Sequence, residues 1–236
     1  MDRQQTHCCG ARVDCANCGI RPIAICGALA PIALGKLAAI AGSRRVDAGA
    51  QLIQEGEPAE DIFTLTEGML KIYKLMPDGR RQITGFLIPG DLVGLAYGDS
   101  YIYSAEAVTD IVACRFRRSN LLALMTDHPE LEHRLLSRAG NELAAAQAQM
   151  LLLGRKTARE RVASFLLGLA ERRGTKTGEP MPLPMNRGDI ADFLGLTIET
   201  VSRTLTLMRK AGLIILPDKH SVTITDLASL RAASGD

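Results

Sequence analysis

The most constraining feature of this sequence is the segment 187–206, whose apolar spacing fits two short helices joined by a tight turn. Ala191 is small enough for a second helix to cross the first one closely. Gly195 can adopt the left-handed conformation of a turn, and the hydroxyl of Thr197 can cap the second helix. The segment therefore predicts a helix-turn-helix. The residues assigned to the buried faces of its two helices are Ile190, Phe193, Leu194, Ile198, Val201 and Leu205.

Polar side chains occupy the opposite face of the second helix, and their hydrogen-bonding groups suit base edges in the major groove of DNA. Arginine can donate two hydrogen bonds to guanine, glutamate can accept from the cytosine amino group, and serine can do either. The alternative is that Glu199 and Arg203 form only a surface ion pair, worth a few tenths of a kcal/mol. Residues 155–236 hold 13 Lys and Arg against 9 Asp and Glu, which favours a partner with phosphates. The predicted DNA-contacting residues are Glu199, Ser202, Arg203, Thr206, Thr197 and Arg187.

Two regions of the sequence have the composition and spacing of β-strands. Residues 213–216 and 222–225 surround a Pro-Asp-Lys turn and predict the hairpin wing of a winged helix, whose Lys219 and His220 can reach phosphates. Residues 44–117 read as short strands punctuated by glycine, which predicts a small antiparallel β-barrel with a sensor role. A Gly- and Pro-rich linker is predicted at 174–184.

A long helix is predicted to begin at Pro129 and to pair two copies of the chain. Its apolar residues recur at steps of three and four, as in the seam of a two-stranded coiled coil. The alternative is that the helix packs on its own barrel, and part of it must do so. The predicted dimer-interface residues are Leu135, Ala139, Leu143, Ala146, Met150 and Leu153.

Five of the six cysteines lie in the first thirty residues: Cys8, Cys9, Cys15, Cys18 and Cys26; the sixth is Cys114. The apolar stretch 23–41 contains two glycines, a proline and a lysine, and no export signal precedes it, so we expect a soluble cytoplasmic protein. In that compartment metal or redox chemistry is a better use of cysteines than disulfides. The four histidines have no context that suits a catalytic triad, which disfavours a hydrolase.

The order of these parts resembles the CRP/FNR family of bacterial transcription regulators, and the FnrN/FnrL-like members of its FNR branch most of all. The stretches that carry the resemblance are residues 82–86 (QITGF), 89–94 (PGDLVG) and 194–203 (LGLTIETVSR). It implies an α+β fold with a cyclic-nucleotide-binding-like antiparallel β-barrel, a dimerisation helix and a C-terminal winged helix-turn-helix. The corresponding domains are a cysteine-rich leader at 1–30, the sensor barrel at 31–128, the dimerisation helix at 129–154 and the DNA-binding domain at 155–236.

The resemblance also implies how DNA is read and which partners are involved. In FNR-like proteins the residues matching Glu199, Ser202 and Arg203 read TTGAT half-sites of an inverted repeat, and the dimer activates anaerobic or microaerobic genes. The turn 78–81 matches a contact to RNA polymerase. Cyclic-AMP-binding relatives carry a glutamate where Leu95 follows Gly94 here, and an Arg-Ser pair at the place of Tyr103 and Ser104, so no cyclic nucleotide is expected.

The resemblance further implies that Cys15, Cys18, Cys26 and Cys114 hold a [4Fe–4S] cluster. Oxygen would convert it to a [2Fe–2S] form, and the dimer would separate into monomers. Cys8 and Cys9 are spare or alternative ligands. Zinc or thiols without metal remain alternatives, as does a FixK- or Dnr-like regulator that responds to thiol oxidation or another ligand. An Fe–S electron carrier would leave the helix-turn-helix unexplained.

Overall fold

The computed structural model describes residues 14–96 and 98–235, which form two compact units. The first unit contains the described residues up to Lys74 together with Thr84–Glu142. The second contains Leu75–Ile83 and the residues from Leu143 onward. The tip of one β-hairpin, Leu75–Ile83, therefore belongs with the C-terminal part of the chain.

Eight strands of the N-terminal half form two four-stranded antiparallel sheets, with the orders β1-β8-β3-β6 and β2-β7-β4-β5. Alternate side chains from both sheets share one aliphatic core, in which Leu65 and Leu70 are fully buried. This jelly-roll is the form that the expected barrel takes, and the α+β fold class is confirmed. The strands are β1 (Ala41–Val46), β2 (Gln51–Ile53), β3 (Asp61–Glu67), β4 (Leu70–Leu75), β5 (Arg81–Leu87), β6 (Leu92–Val93), β7 (Ser104–Ala107) and β8 (Ile111–Arg117).

A second apolar cluster, here called the leader cluster, lies on the other face of strands β3 and β8, to which Ile62 and Phe116 contribute. It unites α1 (Pro31–Ile40), α2 (Arg118–Asp127) and the first turns of α3 (Pro129–Arg155) with apolar residues of the leader. Pro129 is the first residue of α3, where a backbone N–H would have no hydrogen-bond partner within the helix, so proline is tolerated there. The buried members of the leader cluster are Cys15, Ile25, Leu29, Ala33, Leu34, Leu37, Ile62, Phe116, Leu121, Leu124 and Leu131.

The C-terminal half is helical with a small sheet. Helix α4 (Ala158–Arg173) begins with a capping box, in which Thr157 and Glu160 satisfy each other's backbone N–H, and it ends at Gly174 in the left-handed conformation. The remaining elements are β9 (Pro180–Pro182), α5 (Arg187–Leu194), α6 (Ile198–Lys210), β10 (Ile214–Ile215), β11 (Ser221–Ile224) and α7 (Leu227–Ser234).

The predicted linker at 174–184 contains a strand that its prolines concealed. Strand β9 pairs with β11 at the edge of the order β10-β11-β9, and Met181 between its two prolines is fully buried. An edge strand tolerates proline because one side of it needs no ladder hydrogen bonds. The wing therefore has three strands rather than two.

We expect Gly68→Ala to destabilise the jelly-roll far more than Gly79→Ala. Both glycines have positive φ, 81° and 84°, so each alanine carries a backbone cost of about 1–2 kcal/mol. A Cβ at Gly68 would also overlap the Asp110 carbonyl oxygen, whereas a Cβ at Gly79 meets nothing within 4 Å. Urea unfolding should show a loss of about 3 kcal/mol or more for the first variant. Equal losses would contradict the crowding at Gly68.

Candidate functional site

Helices α5 and α6 form the predicted helix-turn-helix; Gly195 and Thr197 have the roles predicted for them, and Asn186 adds a cap that was not predicted. The Asn186 side chain accepts a hydrogen bond from the Asp189 N–H at 2.8 Å and so begins α5. Gly195 ends α5 with φ 61° in the left-handed conformation. The Thr197 hydroxyl accepts from the Thr200 N–H at 3.2 Å and begins α6. The turn between the helices is therefore fixed by local chemistry.

Helix α6 buries Val201, Thr204, Leu205 and Met208. The prediction that Ile198 belongs to this buried stripe is wrong, because its side chain is 52% exposed. Ile198 is the first residue of α6 and lies near Gly188, which has no side chain to cover it. The helical spacing of the buried face is completed by Thr204 instead.

The exposed face of α6 presents Glu199, Ser202 and Arg203 to solvent. The Glu199 pKa is lowered by hydrogen bonds from its own backbone N–H and from the Thr197 hydroxyl, so the carboxylate is an ionised acceptor at neutral pH. In the described part of the chain no ion pair joins Glu199 to Arg203, and each can reach outward. Thr206 is partly buried, and its hydroxyl donates to the Ser202 carbonyl oxygen at 2.9 Å.

Cationic side chains also occur at the start of α5 and at the wing. Arg187 is partly buried at the first position of α5; desolvation lowers its pKa, and its Nη1 atom has no hydrogen-bond partner. At the wing, Asp218 holds the turn by accepting from the His220 N–H and the Ser221 hydroxyl. Lys219 and His220 are exposed there, as a phosphate contact requires.

Helix α3 carries an exposed apolar row at steps of seven residues: Leu136 is 70% exposed, Leu143 61% and Met150 72%. Leu135, the first residue of the predicted interface, packs instead against the leader cluster, so the exposed row begins at Leu136. Of the other predicted interface residues, Ala146 is exposed, and Ala139 and Leu153 are partly buried. With Leu136 the steps alternate strictly between three and four, as a coiled-coil seam requires.

Cys15 and Cys26 of the leader and Cys114 of strand β8 meet at the leader cluster. Cys15 is buried within it, and Cys26 and Cys114 pack against it. Cys114 is two residues from Phe116 on the same strand and so points to the same face of the sheet. Cys114 is far from the two leader cysteines in the sequence, and all three lie in or against the same apolar cluster.

Cys18 lies close enough to Cys26 to affect its ionisation. Burial raises the pKa of the Cys26 thiol, and Cys18 raises it further, whereas the guanidinium groups of Arg21 and Arg134 act in the opposite direction. Within the described ranges, no three side chains of His, Cys, Asp or Glu form a group that could hold a metal ion. Cys8 and Cys9 lie outside the described residues.

Tyr103, which the family resemblance aligns with the Arg-Ser pair of cyclic-AMP-binding relatives, packs against the jelly-roll core. Its hydroxyl oxygen accepts a hydrogen bond from the Gly94 N–H at 3.0 Å. Burial raises the pKa of Tyr103 to about 12, so the side chain is a neutral phenol at physiological pH. The neighbouring Ser104 hydroxyl accepts from the Glu55 N–H at 3.0 Å. Both hydroxyl groups thus accept hydrogen bonds from the backbone of the protein.

Comparison with known families agrees with both halves of this architecture. Residues 43–128 match the cyclic nucleotide-binding domain, and residues 160–233 match the Crp-like helix-turn-helix domain. The chain belongs to the CRP/FNR family. The resemblance drawn from the sequence is confirmed, and this CRP/FNR regulator is not an enzyme, as expected.

Three relatives illustrate the range of similarity. The transcriptional activatory protein AadR of Rhodopseudomonas palustris is 44% identical over 216 residues, covering 90% of each chain. The transcriptional activator protein FnrL of Cereibacter sphaeroides is 38% identical over 228 residues, covering 94% of this chain and 92% of FnrL. The structure of FixK2 from Bradyrhizobium japonicum superposes with a TM-score of 0.78 at 37% identity, covering 82% of this chain and 97% of FixK2. This CRP/FNR regulator is therefore of the FNR/FixK type. Among its described helices, none has the length and apolarity needed to cross a membrane.

We expect Leu143→Glu to separate the dimer, because the charge would face its copy at the centre of the exposed row. The dimer dissociation constant should rise on the order of 100-fold, since two carboxylates would be desolvated side by side. Ala148→Glu is the matched control, because it adds the same charge at an exposed position outside the row. Sedimentation velocity, under conditions where the unaltered chain is dimeric, measures both. Equal masses for the two variants would place the interface elsewhere.

Proposed function

We propose that this chain is an oxygen-responsive transcriptional activator that binds inverted repeats of the form TTGAT-N4-ATCAA as a homodimer. In this proposal Cys15, Cys18, Cys26 and Cys114 hold a [4Fe–4S] cluster whose oxidation controls dimerisation. The observation that supports it is that Cys15, Cys26 and Cys114 lie in or against one apolar cluster, to which the first turns of the dimerisation helix also contribute.

The donors suit an iron–sulfur cluster in kind and in number. Four cysteines are the ligand set of a [4Fe–4S] cluster, and the surrounding residues of the leader cluster are apolar. Burial and Cys18 raise the pKa of Cys26 overall, and the guanidinium groups of Arg21 and Arg134 oppose that shift. When bound, the cluster would supply the reaction with oxygen that converts it to a [2Fe–2S] form.

The surroundings of the thiols are connected to the dimerisation helix by packing and by hydrogen bonds. Leu131 and Leu135 of α3 belong to or pack against the leader cluster, which also contains Cys15. The Arg134 guanidinium donates to the Pro22 carbonyl oxygen, and Arg21 donates to the Leu29 carbonyl oxygen, each at 3.3 Å. A change in the leader would therefore repack the start of α3, which carries the exposed row. In this proposal, such repacking shifts the population of subunits between the paired and the separate state.

DNA reading depends on that pairing. Glu199, Ser202 and Arg203 of each subunit would contact one TTGAT half-site, and a dimer presents two such helices one DNA turn apart. A monomer would keep half of these contacts and lose the gain from engaging both half-sites at once. The name of AadR and that of FnrL, both activators, support positive regulation.

The hairpin tip is the proposed contact to RNA polymerase. Leu75 and Met76 are 59% and 45% exposed, and Asp78 and Arg80 form an exposed ion pair beside them. Arg81 does not share this surface, because its guanidinium is bound to carboxylates of α5. The proposed contact therefore consists of residues 75–80.

A FixK-like regulator without a cluster is the second candidate. The similarity to FixK2 extends over nearly the whole of that protein but over only 82% of this chain. The alignment with FnrL covers 94% of this chain and so must reach into the leader that carries Cys15, Cys18 and Cys26. In either candidate we propose that no cyclic nucleotide is bound, since Tyr103, which the resemblance aligns with the phosphate-binding pair of relatives, packs against the core and accepts from the Gly94 N–H.

Purification without oxygen tests the sensor. We expect a brown protein with about four iron and four sulfide per subunit, which bleaches in air and changes from dimer to monomer in sedimentation. Cys114→Ser should lose the iron, the dimer and high-affinity DNA binding together. The Cys8→Ser/Cys9→Ser variant is the control and should keep all three. A colourless, iron-free protein that binds the duplex equally with and without air would support the FixK-like candidate instead.

Substitutions of Arg203 and Lys219 should distinguish base recognition from phosphate binding. Arg203→Ala should weaken binding to the TTGAT duplex by about 1–3 kcal/mol and relax preference at one base pair of each half-site. Lys219→Ala, on the wing, should weaken binding to matched and altered duplexes alike and reduce the salt dependence by about one phosphate contact. Fluorescence anisotropy over a salt series measures both effects. Unchanged base preference in Arg203→Ala would contradict its role as a reader.

A further inference from the structure

Helix α5, which supports the recognition helix, is held by a side chain from the β4–β5 hairpin. The Arg81 Nη2 atom lies 2.7 Å from Asp189 Oδ1 and 2.8 Å from Asp192 Oδ2. The Arg81 Nε atom also donates to Asp192 Oδ2 at 2.9 Å. The two aspartates are three residues apart and so lie on one face of α5. A single guanidinium thus bridges two carboxylates along the helix, and all three residues belong to the second unit.

The next residue of the hairpin binds the other end of the same helix. Gln82 Nε2 donates to the Asp192 carbonyl oxygen at 2.7 Å. This carbonyl belongs to the last turn of α5, where helical N–H donors run out. The Phe193 carbonyl oxygen beside it accepts from Gln149 Nε2 at 2.8 Å. Hairpin residues therefore contact both carboxylates and a terminal carbonyl of α5.

Burial makes this contact consequential. The Asp189 side chain is only 3% exposed, whereas Asp192 is 34% and Arg81 26% exposed. A buried carboxylate that loses its cationic partner is strongly unfavourable, so α5 would have to shift or admit water if Arg81 were removed. Helix α6 packs on α5, and its exposed face would move with it.

We propose that Arg81 and Gln82 are positioning residues for DNA binding: they fix α5, and through it the orientation of α6, without touching DNA. Arg81 and Gln82, together with their partners Asp189 and Asp192 on α5, are here called the hairpin clamp. Arg81 and Gln82 are the first two residues of strand β5, which continues to Leu87 in the sheet β2-β7-β4-β5. The proposal rests on the DNA-binding part of the proposed function and not on the cluster.

The test compares Arg81→Met with Arg80→Met in the full chain, handled without oxygen. Both variants remove one positive charge from the same hairpin. Among the described residues, however, the acidic partner of Arg80 is Asp78 of the same hairpin, and both side chains are well exposed. Fluorescence anisotropy with the TTGAT-N4-ATCAA duplex gives the dissociation constant, and titration at high duplex concentration gives the fraction of protein that binds.

We expect Arg81→Met to weaken DNA binding tenfold or more, Asp192→Asn to weaken it several-fold, and Arg80→Met to change it less than about threefold. The preference for TTGAT over an altered half-site should stay the same, because no base contact is removed. The binding-competent fraction should stay near that of the unaltered chain. Arg81→Lys should recover part of the affinity, because lysine keeps the charge but not the two-armed geometry.

Three outcomes would overturn the hairpin clamp. Equal dissociation constants for Arg81→Met and Arg80→Met would do so, and so would an unchanged dissociation constant with a reduced competent fraction, since the contact would then serve folding only. In both cases the unaltered chain binds the duplex and the proposed function stands. If the unaltered chain itself fails to bind, the proposed function and the clamp fall together.

Discussion

Burial of the outer face of strands β3 and β8 is the constraint on which the N-terminal unit depends. The core between the two sheets uses one set of alternate side chains, and the opposite set, which includes Ile62 and Phe116, must be covered. Helices α1 and α2, the leader and the start of α3 provide that cover. The same packing places Cys15 within this apolar cluster and Cys26 and Cys114 against it. A sensing role for the thiols is thus compatible with an interaction that the fold needs in any case.

Hydrogen bonds from long side chains to backbone carbonyls organise the second unit. Arg161 donates to the carbonyl oxygens of Leu153 and Leu194, each at 2.8 Å, and to that of Lys156 at 2.9 Å. One guanidinium therefore joins the end of α3, the turn that follows it and the turn of the helix-turn-helix. Gln82 and Gln149 act in the same way on α5. Short helices with few residues to bury gain their fixed orientation from such contacts.

Local chemistry was sufficient to predict the helix-turn-helix of the DNA-binding half, but not strand β9. The caps at Asn186 and Thr197 and the left-handed Gly195 depend only on neighbouring residues, and the helix-turn-helix follows from them. The misassignment of Ile198 has a physical origin, because periodicity gives the direction of a side chain but not whether a neighbour lies there to cover it. Leu135 and Leu136 differ for the same reason: both fit an apolar stripe, and only packing decides which one faces the leader cluster.

The order of the parts and the two helices of the DNA-binding motif follow from the amino-acid sequence, since spacing, caps and composition are local properties. Packing in three dimensions places residues together across long separations: Cys114 against the cluster that contains Cys15, Met181 of strand β9 beside β11, and Arg81 against Asp189. These contacts depend on how strands and helices pack. An arginine in a turn carries no local signal of the buried carboxylate that it will neutralise.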